Sequence, residues 1–202
     1  ELTGDYAGVR LLDFYKVYRA MVRAKVIAIR LGQSDVGPVE AEADRREYER
    51  HVDLAEAYTR PRPRTLYLTH GVSGSGKSRI AAALRLRLPL IHLRSDIERK
   101  RLFGLPADAR TAPGGYGRGI YGPDAGRRTY ARLRELAGVV LEGGCSPLVD
   151  ATFLRQEQRA PFAVLAREKG ARLVILELTA PEASLRARVR SREAEGRDPS
   201  EA

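Results

Sequence analysis

Residues 71–78 read Gly-Val-Ser-Gly-Ser-Gly-Lys-Ser. Gly71, Val72, Ser73, Gly74, Ser75, Gly76, Lys77 and Ser78 thus satisfy G-x-x-x-x-G-K-[ST] in full. A loop that wraps phosphate oxygens must bring its backbone close to them, and glycine supplies both the clearance and the dihedrals. Its N–H groups, and the N-terminus of the helix that follows, present positive partial charge to the anion. In such a loop Lys77 reaches the β- and γ-phosphates and Ser78 offers a hydroxyl to Mg²⁺. The required context is present, with an apolar segment at 65–70 and a helical one at 76–88. A glycine-rich turn without a ligand is the plain alternative.

Two carboxylates end apolar runs further along. Asp150 closes Pro-Leu-Val-Asp and is the natural group to hold the Mg²⁺ shell, although an aspartate also simply begins turns. Ala151 follows it, where a motor-type ATPase needs an acid to activate water, so a dedicated hydrolase is disfavoured. Asp96 ends Ile-His-Leu-Arg-Ser-Asp and can accept the proton of an attacking hydroxyl. It also reads as an N-cap for the following helix. Arg94 and Arg99 flank it and suit an anionic group on a substrate. The last helical segment carries Arg186, Arg188, Arg190 and Arg192. Such arginines offset transferred charge if the helix closes as a lid, or form a solvated basic face if it does not.

The elements that must position these residues alternate. Strands are expected at 65–70, 90–96, 146–152 and 171–179, and helices at 76–88, 97–103, 127–142, 155–169 and 182–194. Pro161 must kink its helix or sit in the first turn. The region 104–126 reads as a loop in which Gly114, Gly115, Tyr116, Gly117, Gly119 and Tyr121 contact the acceptor. This alternation predicts an α/β fold with a parallel sheet covered on both faces. Before it lie an amphipathic helix over 5–30 (Leu11, Tyr15, Tyr18, Val22, Val26, Ile29) and a highly charged helix over 39–58. The alternating prolines of 59–64 read as an extended linker, which divides a helical segment 1–58 from a domain 65–202.

The 202 residues carry a net charge of +10, mostly from arginines spread along the chain rather than gathered in one block. That distribution suits solvated helix faces better than a nucleic-acid footprint. The single cysteine, Cys145, excludes an intrachain disulfide, and no run of about 18 apolar residues spans a membrane. With no signal-peptide pattern, a cytoplasmic location is expected. His51, His70 and His92 are isolated, without metal-ligand spacing.

The ordered set GVSGSGKS, LRSDIERKRLFG, IYG…RTYARL, VDATFLRQEQR and LRARVRSREAEGRDPSEA resembles the small P-loop, AAA-domain kinases. These are relatives of the polynucleotide kinase, gluconate kinase and zeta-toxin group. The resemblance covers about Arg62–Ala202. It implies a P-loop NTPase three-layer sandwich with ATP bound at 71–78, Asp96 as general base and Arg99 against the substrate. It further implies Asp150 as the acid of the third strand and Arg188 and Arg192 as lid arginines. A fifth strand after the lid is expected in that group, and the 202 residues do not contain one. Residues 2–31 resemble the last helices of an aminoglycoside-phosphotransferase-like domain. The catalytic segments of that fold are missing, so only a packing role carries over. The leading expectation is ATP- and Mg²⁺-dependent transfer to a hydroxyl of a small molecule. Alternatives are a polynucleotide 5′-hydroxyl kinase, for which Phe103, Tyr116, Tyr121 and Phe153 are the stacking candidates, and a non-catalytic nucleotide-sensing module.

Overall fold

The computed structural model describes residues 3–107, 109 and 119–195, and for 119, 189 and 191–195 the backbone alone. Two compact units emerge, Gly8–Arg62 and a larger one made of Glu1–Ala7 with Pro63–Ala202.

In the smaller unit, helices α1 (Leu12–Leu31) and α2 (Pro38–Thr59) pack together. They meet through small residues, Ala20, Ala24 and Ala55, which are buried. Arg30 pairs with Asp44 at 3.1 Å, and Asp13 pairs with Arg62. Lys16 sits 4.8 Å over the Tyr58 ring.

The larger unit is an α/β fold built on a four-stranded sheet. Its strands are β1 (Thr65–His70), β2 (Leu90–Arg94), β3 (Ser146–Asp150) and β4 (Arg172–Glu177). They lie in the order β2-β3-β1-β4, every pair parallel. Leu66, Leu68, Leu93, Leu148 and Val149 are all at 0% exposure, as the near-continuous apolar strands of a doubly covered sheet require. The helices are α3 (Lys77–Arg85), α4 (Ser95–Leu102), α5 (Pro123–Glu142), α6 (Gln156–Glu168) and α7 (Glu182–Glu195). α5 supplies Leu133, Leu136, Val140 and Leu141 to the core, and α6 supplies Phe162 and Leu165. Burying each such side chain contributes about 1.5–3 kcal/mol.

Several element ends differ from the sequence expectation. β2 stops at Arg94, and Asp96 belongs to the first turn of α4 instead of the strand. Its Oδ1 accepts the N–H of Ile97 at 2.9 Å, and an acidic side chain in a first turn complements the helix dipole. β3 likewise stops at Asp150. α5 begins at Pro123, earlier than 127, because proline suits the first helical position. Pro161 lies inside α6, past its first turn. Gly114, Gly115, Tyr116 and Gly117, expected to meet the acceptor, lie outside the described residues.

The N-terminal residues of this unit reach α4. The Tyr6 hydroxyl donates to Glu98 Oε1 at 2.9 Å, and Arg101 pairs with the same carboxylate. Glu98 is 2% exposed and Tyr6 4%, so the network is desolvated. Burial, then the charge of Glu98, pushes the Tyr6 hydroxyl up to about 12. Removing the donor leaves a buried carboxylate under-satisfied, so Tyr6→Phe is expected to cost about 1–3 kcal/mol, read by denaturant unfolding at neutral pH. Because the folded-state value is raised, this contribution is full below pH 10 and lost as pH rises towards about 12. The wild type loses stability over that window more steeply than Tyr6→Phe does.

Candidate active site

The β1–α3 connection wraps the carboxyl end of β1, the edge of a parallel sheet where ligands sit. Two glycines are required here, Gly71 by space and dihedral and Gly76 by dihedral alone. Gly71 has φ +146°, and a Cβ there would stand 2.4 Å from the Leu178 carbonyl oxygen, a backbone atom that cannot yield. Gly76 has φ +96° and launches α3. Lys77 Nζ donates to the carbonyls of Gly71 (3.0 Å) and Val72 (2.8 Å), which folds the ammonium back into the loop.

A cleft of about 1110 Å³ opens beside this loop. It is lined by Ser73–Ser78, Asp96, Arg99, Tyr121, Asp150 and Arg188, so most of the residues singled out by sequence meet in one space. Gly71 and Val72 are not among the residues that line it. Arg188 Nη1 donates to the Gly74 carbonyl at 3.2 Å, which brings α7 onto the loop. Arg186 instead pairs with Glu182 of its own helix. The side chain of Arg192 lies outside the described residues.

Asp150 ends β3 at 5% exposure. His92 Nε2 lies 3.4 Å from its Oδ2, and Thr69 Oγ1 lies 3.2 Å from its Oδ1. Burial pulls the carboxyl up; the hydrogen bond and charge of His92, the Ser78 hydroxyl and the charge of Arg94 outweigh it and hold the group below the usual range. His92 is therefore not isolated. The parallel register sets His92 beside Leu148 and Arg94 beside Asp150, which aligns β2 side chains with the acid of the neighbouring strand. No sequence spacing reports a cross-strand neighbour.

Arg94 points its guanidinium at Asp96, Nη2 to Oδ2 at 2.6 Å and Nε to Oδ1 at 3.2 Å. It is a clamp on that carboxylate and is not among the cleft-lining residues. Arg94→Ala is expected to lower turnover by about 10–100-fold with nucleotide affinity kept, since a carboxylate misplaced by 1 Å costs about 10². Steady-state kinetics beside nucleotide calorimetry check this. Arg99 stacks 4.9 Å over the Tyr121 ring, and its buried Nε has no acceptor among the described residues. Phe153 was a stacking candidate, but it is at 0% exposure, edge-on to Tyr130 and Phe162, and offers no platform. Tyr130 and Thr152 also line the cleft. Sequence reasoning gave neither a role, although both fall inside the stretches RTYARL and VDATFLRQEQR.

The fold is that of a P-loop α/β protein. The chain belongs to the AAA domain family, whose model matches residues 66–202. Uncharacterized proteins of Mycobacterium tuberculosis and Mycobacterium bovis are 31% identical over 172 residues, which is 85% of this chain and 33% of theirs. The chain therefore spans a third of the length of these curated relatives. Among solved structures, a candidate kinase from Chloroflexus aurantiacus superposes with a TM-score of 0.53 at 22% identity, covering 67% of this chain and 69% of that one. A chain of the Pnkp1/Rnl/Hen1 RNA repair complex does so with 0.50 at 20% identity, over 65% and 38% respectively. No helix among the described residues is long and apolar enough to cross a membrane.

Proposed function

We propose that the protein is an ATP-dependent phosphotransferase that delivers the γ-phosphoryl group to a hydroxyl of a small-molecule acceptor. The observation that carries this reading is the carboxylate of Asp96 opening onto the same cleft as the phosphate loop. The loop amides and Lys77 bind the phosphates, Asp96 takes the acceptor's hydroxyl proton, and Arg188 (with Arg192 from the same helix) offsets charge on the transferred group. The hydroxyl of Ser78 and the carboxyl of Asp150, which that hydroxyl helps to hold ionised, both line the cleft and fit a hard divalent cation. They are the residues that would hold Mg²⁺, which supplies charge neutralisation on the phosphates when bound. Ala151, apolar and buried beside Asp150, leaves no acid there to activate water, which favours a hydroxyl acceptor over hydrolysis.

A second reading, a polynucleotide 5′-hydroxyl kinase, draws on Arg99 and Tyr121, a guanidinium stacked on a ring with a donor to spare. A structural neighbour belongs to an RNA repair complex, a likeness of fold. Arg99 and Tyr121, with Arg94 committed to Asp96, form the acceptor side of the cleft in both readings. Radiolabelled ATP offered with sugars, aminoglycosides and a 5′-hydroxyl oligonucleotide separates them. Label on the small molecules supports the first reading, and label confined to the oligonucleotide supports the second.

A further inference from the structure

Phe153 is the one non-glycine residue with positive φ among the described residues, at 48°. A bulky side chain resists that conformation, and such strain persists only where the surroundings over-determine it. Here they do. The Phe153 N–H donates to Tyr130 Oη at 3.2 Å, its carbonyl lies 3.1 Å from His70 Nδ1 and accepts from Arg159 Nη1, and its ring is locked in the core. The preceding carbonyl, of Thr152, accepts the Gly71 N–H at 3.1 Å, which ties the turn to the phosphate loop.

This turn holds the Thr152 hydroxyl on the cleft wall, 3.2 Å from Tyr130 Oη. The two hydroxyls own two protons. One is used between them, and Tyr130 Oη accepts the Phe153 N–H. No other hydrogen bond of either hydroxyl exists among the described residues. Whichever way the mutual bond runs, one O–H donor is left over, on residues that line the same cleft as Asp96 and Asp150.

We infer that Thr152 and Tyr130 form an acceptor subsite that donates one hydrogen bond to a neutral oxygen next to the hydroxyl that reacts. The phosphates already have the loop amides, Lys77 and Arg188, whereas an uncharged donor suits a hydroxyl or carbonyl oxygen. The substrate class is therefore polyhydroxylated, with a second oxygen function beside the reacting one. This rests on the phosphotransferase reading.

The test uses D-ribose, D-glucose, kanamycin and a 5′-hydroxyl hexanucleotide as probes, each beside a monodeoxy counterpart where one exists. For the best-transferred probe, Thr152→Val raises the acceptor KM about tenfold with the ATP KM within twofold, and erases the preference over the deoxy analogue. Thr152→Ser restores both. Tyr130→Phe repeats the acceptor effect and also lowers the melting temperature, because the Phe153 N–H loses its acceptor. An unchanged acceptor KM in Thr152→Val, or a change in the ATP KM instead, overturns the subsite alone. A wild type that binds ATP yet phosphorylates no probe overturns the phosphotransferase reading, and the subsite with it.

Discussion

Asp96→Asn is expected to lower phosphoryl transfer by about 10²–10⁴-fold while nucleotide affinity stays within a few-fold. The geometry explains the split. A carboxylate offers about four lone-pair positions. Arg94 takes two of those on Asp96 and the Ile97 N–H a third, which leaves one for an incoming hydroxyl proton. The amide of Asn cannot accept that proton. It keeps much of the shape, and α4 contributes none of the loop amides that bind phosphate. Single-turnover transfer and calorimetric titration with a non-hydrolysable ATP analogue measure the two halves separately. Transfer within threefold of wild type removes the base role from Asp96.

Lys77→Ala acts on the other half of the site. Its ammonium rests on the Gly71 and Val72 carbonyls, inside the loop proposed to surround the phosphates. In the proposed reading this ammonium turns to the transferred group when nucleotide enters; losing such a charged donor costs about 10²–10³ in turnover, and the loop also loses its cation, so nucleotide affinity falls with it. Lys77→Arg is not expected to rescue, because a planar guanidinium does not fit where a compact ammonium sits. The contrast matters: Asp96→Asn separates binding from chemistry, whereas Lys77→Ala lowers both. A Lys77→Ala variant with wild-type affinity and transfer contradicts this assignment of the loop.

How much of this was legible in the sequence follows from the range of each interaction. The phosphate loop and the four strands were legible because they are local: glycines, one lysine and short apolar runs in order. The end of β2 was misread by two residues, since Ser95 and Asp96 satisfy a helix start as well as a strand end. Arg94 looked like a free anion contact, and only its position behind Asp96 makes it a clamp. His92 looked isolated because its partner, Asp150, is a neighbour across the sheet and not along the chain. Phe153 looked like a cleft aromatic, yet the turn after β3 drives its ring into the core and turns Thr152 outward. Tyr6 carried no signal, although it satisfies a buried glutamate 92 residues away.

In the proposed reaction the γ-phosphoryl group leaves ATP for a hydroxyl and not for water. Phosphorus NMR of the protein with ATP, Mg²⁺ and the acceptor panel reads this directly. The expected result is ADP accompanied by an equal amount of one acceptor phosphomonoester, with inorganic phosphate a minor product, and loss of that ester in Asp96→Asn. ADP matched by inorganic phosphate in every arm, at a rate that Asp96→Asn leaves unchanged, would contradict it.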